Sequence, residues 1–108
     1  MIRVSLVIPV LNSHEVVRRQ LLHFQRIGLP DDTELIIVDD GSDPPLMDDP
    51  RIVEAVGRLD WLQIIPTNDK RPWTSSLARN AGAKIAKGEW LFMVDGDFIL
   101  PRKAIESL

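Results

Sequence analysis

The stretch Trp90-Leu91-Phe92-Met93-Val94-Asp95-Gly96-Asp97 sets an apolar run directly before two carboxylates one residue apart. A short apolar run of this composition predicts a buried strand, and the Asp-Gly pair predicts a turn that ends it. Carboxylates at a strand's carboxyl end offer hard oxygen ligands. Mg²⁺ or Mn²⁺ takes such ligands, and a metal of this kind commonly serves a phosphate. The same pattern occurs earlier, where Leu35-Ile36-Ile37-Val38 leads into Asp39-Asp40-Gly41-Ser42. In a parallel sheet both acidic clusters open onto one edge, where ligands bind in open α/β folds.

Working outward, Val4 to Val10 is almost all apolar and rich in β-branched residues, as a strand buried on both faces requires. Pro9 sits near its end, where a missing N–H does least harm. Asn12 begins an N-cap pattern with Glu15 as its capping-box partner. Val16, Val17, Leu21, Phe24 and Ile27 then follow helical spacing, and Gly28 and Pro30 stop the helix. Glu34 to Val38 is the second strand. Asp39 to Pro50 reads as a polar loop. A short helix is expected from Pro50 to about Arg58, with Ile52, Val53 and Val56 inward. Trp61 to Ile65 is the third strand. Thr74 or Ser75 caps a helix to Lys87, with Leu77, Ala78, Ala81 and Ile85 on one face. Gly82 inside that helix costs about 1 kcal/mol against alanine, which points to close helix–sheet packing. Gly88 ends the helix, Glu89 to Val94 is the fourth strand, and Pro101 starts a last helix.

The order β-α-β-α-β-α-β-α implies crossover connections and a parallel sheet flanked by helices, an α/β fold. The expected strand order is 3-2-1-4. One domain, residues 1–108, accounts for the whole sequence, and the stop at Leu108 just after a helix begins reads as truncation at the carboxyl end.

Bulk properties narrow the function. Hydrophobic residues are 44% and charged residues 27%, which suits an ordinary globular domain. The net charge of −3 opposes binding driven by phosphate neutralisation, so no nucleic-acid partner is expected. There is no cysteine, which excludes disulfides, zinc–thiolate sites and cysteine nucleophiles. No transmembrane segment or signal peptide is expected, and the default location is cytoplasmic.

Read from the residues, a nucleotide would lie across the strand ends, with its base near the first two and its diphosphate near the last. Asp39 can accept from a base N–H or a ribose hydroxyl. Gly41 allows close backbone approach. Asp95 and Asp97 can hold a divalent metal that neutralises a diphosphate. Arg79, early in the third helix, can add positive charge. The plain alternative is turn chemistry. Eleven aspartates in 108 residues predict about one Asp-x-Asp by chance. Asp43, Asp48 and Asp49 read as solvated loop charges, and His14 and His23 as surface residues. Trp61, Trp73 and Trp90 read as core or rim.

Four segments, in this order and spacing, carry a family resemblance. They are Val7-Ile8-Pro9-Val10-Leu11-Asn12, Ile37-Val38-Asp39-Asp40-Gly41-Ser42-Asp43, Leu77-Ala78-Arg79-Asn80-Ala81-Gly82 and Asp95-Gly96-Asp97. Together they resemble the amino-terminal half of family 2 glycosyltransferases, with the GT-A fold. The resemblance implies a nucleotide-sugar donor, often a UDP-sugar, a divalent Mn²⁺ or Mg²⁺, and transfer to an acceptor hydroxyl with inversion. By the same resemblance Pro9 and Leu11 line the base pocket and Asp39 contacts the base. Arg79 lies near the nucleotide, Asp95 touches the ribose or the metal, and Asp97 ligates the metal. Asp40 and Gly96 complete the nucleotide-binding set. The family's catalytic base lies in the carboxyl-terminal half, beyond Leu108, so no residue here takes that role, and the acceptor (glycan, lipid or protein) stays open. The loop Asn68 to Trp73 is richer in charge than the family pattern suggests and bears on donor choice.

Two competing readings stand beside this one. Asp95-Gly96-Asp97 also resembles the nucleophile motif of haloacid-dehalogenase-type phosphatases, where the first aspartate attacks phosphorus. A non-enzymatic reading makes the chain a nucleotide-binding half, or a homo-oligomer that pairs with another copy to cover an open sheet edge. No Gly-x-Gly-x-x-Gly follows the first strand and no Gly-Lys-Ser/Thr occurs, which disfavours dinucleotide and P-loop enzymes.

Overall fold

A computed structural model describes residues 2–67 and 75–94, the side chains of the second stretch from residue 80 onward. The strands are β1 (Val4–Val10), β2 (Thr33–Asp39), β3 (Leu62–Pro66) and β4 (Trp90–Met93). The helices are α1 (His14–Ile27), α2 (Pro50–Arg58) and α3 (Ser75–Ile85), with a 3₁₀ turn at Leu46–Asp48. The sheet runs in the order β3-β2-β1-β4, as expected, and every pairing is parallel. Boundaries differ by a residue or two: β3 begins and ends one residue later than expected, and α3 stops at Ile85.

β1 and β2 lie in the middle of the sheet, and their alternating side chains feed two cores. Leu6, Ile8, Leu35 and Ile37 point to one face, where Val17, Leu21 and Phe24 of α1 and Ile52 of α2 meet them. Val7, Ile36 and Val38 point to the other face, under Ala81 and Ile85 of α3. The period of two on each strand thus builds both layers.

Gly82 has the role expected of it. A Cβ there would lie 2.4 Å from Val7 Cγ1 and 3.2 Å from Val38 Cγ2. The helix axis therefore sits closer to the sheet than any side chain would permit.

β4 departs from expectation. It is not a buried strand: Trp90 is 61% exposed, and Leu91 and Met93 are each 43% exposed. The physical reason is position. Among the described residues β4 has β1 on one side and no strand on the other, so its apolar residues are only half covered. Trp90 is accordingly rim, while Trp61 packs partly buried against the larger core.

Three further corrections concern caps and loops. The N-cap of α1 is Ser13, with no side-chain cap bond, and not Asn12. Asn12 takes a left-handed φ of 49°, which asparagine tolerates, and its side chain turns to a neighbouring loop instead. Val53 is exposed, because α2 buries one narrow stripe centred on Ile52. Asp49 is not a solvated charge. It caps α2 by accepting from Arg51 N–H and pairs with Arg18, which also holds Glu15. The Arg18 guanidinium lowers the Glu15 carboxyl below its usual range. For Asp49, burial opposes ionisation, but the Arg51 N–H and Arg18 outweigh it and the group ends below its usual value.

At the amino edge of the sheet lies a buried polar knot that sequence reasoning missed. Ser5 Oγ donates to Glu34 Oε2 at 2.6 Å, and Lys87 N–H donates to the same oxygen at 2.7 Å. Gly88 N–H donates to Ser5 Oγ at 2.9 Å. Ser5 and Glu34 are both buried. A Cβ on Gly88 would lie 2.7 Å from the Ser5 backbone nitrogen, so only glycine fits this approach.

Candidate functional site

The carboxyl ends of β1, β2 and β3 form one rung: Val10 stands beside Asp39, and Asp39 beside Pro66. Backbone bonds continue past the strands. Asp40 N–H donates to Val10 C=O at 2.8 Å and Thr67 N–H to Asp39 C=O at 3.0 Å. The edge is therefore a rigid shelf from which the loops depart.

Asp39 organises the largest of these loops. Its Oδ1 accepts from Ser42 N–H and its Oδ2 from Leu46 N–H, both at 2.9 Å. Gly41 makes the return possible with a φ of 88°, a left-handed conformation that glycine adopts without penalty. Leu46 is carried down into the core by this turn. The stretch read as a polar loop is thus tied through Ser42 and Leu46 to one carboxylate.

The β1–α1 loop is stitched to it. Asn12 N–H donates to Ser42 Oγ at 2.9 Å, and Asp43 N–H donates to Asn12 Oδ1 at 2.8 Å. His14 Nε2 lies 2.8 Å from Pro44 C=O, so this histidine fastens the helix start to the loop and is not a bare surface group. His23 makes an edge-on contact with Phe24.

Pro9 is half-buried and Leu11 is 53% exposed, at the mouth of the shelf. Asp39 and Asp40 are both nearly buried, and Thr67 Oγ1 lies 3.4 Å from Asp40 Oδ1. The structure thus brings together Pro9, Leu11, Asp39 and Asp40. Arg79 belongs to α3, but its side chain lies outside the described residues. Asp95, Gly96 and Asp97 also lie outside them, as do the loop Asn68 to Trp73 and the helix expected at Pro101. β4 is paired with β1 through Val7 and Met93, and Val94 N–H donates to Val7 C=O at 2.9 Å.

Both Asp39 oxygens already serve loop N–H groups, so this carboxylate is an anchor with lone pairs to spare for a neutral donor. Among the described residues no cluster of three or more His, Asp or Glu side chains forms a metal site. No helix among them is long and apolar enough to cross a membrane. The phosphatase motif belongs on a first strand; here β1 ends in Pro9-Val10-Leu11-Asn12 and the acidic triplet follows β4 in sequence.

Comparison with known proteins follows the same line. The chain is 29% identical over 107 residues to the poly(ribitol-phosphate) beta-N-acetylglucosaminyltransferase TarP of Staphylococcus aureus (strain N315), covering 98% of this chain and 32% of that protein. The crystal structure of S. aureus TarS residues 1-349 superposes with a TM-score of 0.78 at 22% identity, over 98% of this chain and 31% of that one. The mannosyltransferase PcManGT of Pyrobaculum calidifontis, in complex with GDP-Man and Mn²⁺, superposes at 0.66 with 23% identity, over 94% of this chain and 29% of that one. The chain therefore spans about a third of the length of these relatives. These structural neighbours share its sheet and flanking helices, which are those of the GT-A fold. The family model described as glycosyl transferase family 2 matches residues 5–108, nearly the whole chain, and the chain belongs to that family.

Proposed function

We propose that this chain forms the donor-binding half of a metal-dependent glycosyltransferase that uses a UDP-sugar. The observation that carries this reading is the shared shelf, on which Pro9 and Leu11 border the loop anchored by Asp39. A uracil base against Pro9 and Leu11 meets an apolar wall, with Asp39 and Asp40 beneath it as acceptors for its N–H or for ribose hydroxyls. Arg79 and the Asp95-Gly96 backbone take the ribose and diphosphate. Similarity to S. aureus TarS, solved in complex with UDP-GlcNAc, supports uracil as the base.

Asp97, with Asp95, is proposed to hold Mn²⁺ or Mg²⁺. Asp39 is committed to the loop, whereas the two carboxylates that follow β4 in sequence offer hard oxygen donors one residue apart. When bound, the metal supplies charge stabilisation to the departing nucleoside diphosphate. We further propose an acceptor hydroxyl on a polyol-phosphate polymer, by analogy with the poly(ribitol-phosphate) in the relative's name, and inversion at the sugar carbon.

Calorimetric titration with UDP, GDP and CDP, with and without Mn²⁺, tests the reading. The expected result is saturable UDP binding that strengthens with Mn²⁺, and loss of that metal dependence in Asp97→Ala with an unchanged melting curve. Equal Mn²⁺ dependence in the variant and the parent would refute the metal assignment. Binding of GDP or CDP in preference to UDP would refute the donor.

A further inference from the structure

We infer that the groove between α1 and α2 is a docking track for an anionic phosphodiester chain, holding the acceptor polymer beyond the unit that reacts. The inference rests on the acceptor part of the function proposed above.

The groove encloses about 300 Å³ on the outer surface of the helical layer. Four arginines line it, Arg18, Arg19, Arg51 and Arg58, against two glutamates and no lysine. With Asp49, which pairs with Arg18 at the head of the groove, also counted, the local balance is one positive charge in a chain whose net charge is −3. Exclusive use of arginine matters, because its planar fork matches phosphate oxygens two at a time. Leu21, Leu22 and Ala55 supply an apolar wall between the charges, and Leu22 is 66% exposed. Alternating charge and apolar surface suits a polymer with anions at intervals along a carbon backbone.

The arginines are not explained by the fold alone. Arg18 is spent on Glu15 and Asp49, and Arg19 and Arg58 make exposed pairs on their own helices at 3.5 and 3.2 Å. Exposed pairs of this kind contribute little and yield easily to a stronger anion. Among the described residues Arg51 acts on Glu15 through its charge but forms no close side-chain ion pair. It also stands in the first turn of α2, where the helix macrodipole disfavours a cation. Arg51 and Arg58 are seven residues apart, which puts them on one helix face at an axial spacing of about 10 Å.

Position completes the argument. Both helices run back from the carboxyl edge of the sheet, so their first turns lie beside the shelf. Asp49, at the head of the groove, ends the loop that Asp39 anchors. A polymer leaving the donor site across this loop enters the groove at Arg51.

The test titrates the parent chain and an Arg51→Gln/Arg58→Gln variant with a short synthetic polyol-phosphate oligomer, with UDP and Mn²⁺ titrated on the same samples. Saturable oligomer binding is expected, weakened by salt and about tenfold weaker in the variant, with UDP binding and the melting curve unchanged. Equal oligomer affinity in parent and variant overturns the inference. So does absence of saturable binding, or tighter binding of polyglutamate or of anionic phospholipid vesicles than of the oligomer. Oligomer binding with no UDP binding overturns the donor reading and leaves the groove assignment standing. UDP binding without oligomer binding does the reverse.

Discussion

Asp39 shows how one side chain can serve structure and ligand together. Its oxygens satisfy Ser42 and Leu46 N–H groups inside a nearly buried loop. Replacing it by alanine leaves two donors without an acceptor, and stability should fall by about 2 kcal/mol in urea unfolding. UDP affinity should fall too, whether or not Mn²⁺ is present. An unchanged unfolding midpoint would show that water satisfies the loop and that Asp39 is not its anchor. The sequence marked this residue correctly as part of a turn after a buried strand. It could not show where the carboxylate points, because that depends on Gly41 bringing Ser42 back and on Leu46 entering the core. Asn12 was misread for a related reason. A capping box and a left-handed asparagine look alike in sequence, and only the adjacent loop, thirty-one residues on at Asp43, decides between them.

At the level of elements, the two interior helix glycines that the structure distinguishes make opposite predictions. Gly82 lies against Val7 and Val38, whereas nothing stands within 4 Å of a Cβ at Gly57. Helix propensity favours alanine at both by up to about 1 kcal/mol. Gly57→Ala should therefore raise the melting temperature, and Gly82→Ala should lower it, since the new methyl must displace Val7. A rise in both would mean that α3 can lift off the sheet without cost. The strands and helices were legible because their patterns are strong: short continuous apolar runs in β1 and β2, and a 3.6-residue period on α1. The edge position of β4 was contained in the expected order 3-2-1-4, but its exposure was not drawn from it. An apolar run reads the same at the centre and at the rim of a sheet, and exposure of Leu91 and Met93 follows only from strand order.

For the molecule as a whole, that rim is one of two edges of the sheet among the described residues, β3 being the other. Leu91 and Met93 lie beside open strand edge, the arrangement that invites strand addition. Leu91→Lys/Met93→Lys should keep the 108-residue chain monomeric to higher concentration in sedimentation velocity; equal self-association in the variant would place the sticky surface elsewhere. The opposite end of the sheet has a different character. The knot of Ser5, Glu34, Lys87 and Gly88 joins residues eighty-three positions apart around two buried side chains. During synthesis, Ser5 and Glu34 emerge long before the two amide groups that complete their hydrogen bonding. Until Gly88 leaves the ribosome, the nascent sheet holds a carboxylate that must stay wet, so its amino edge stays loose.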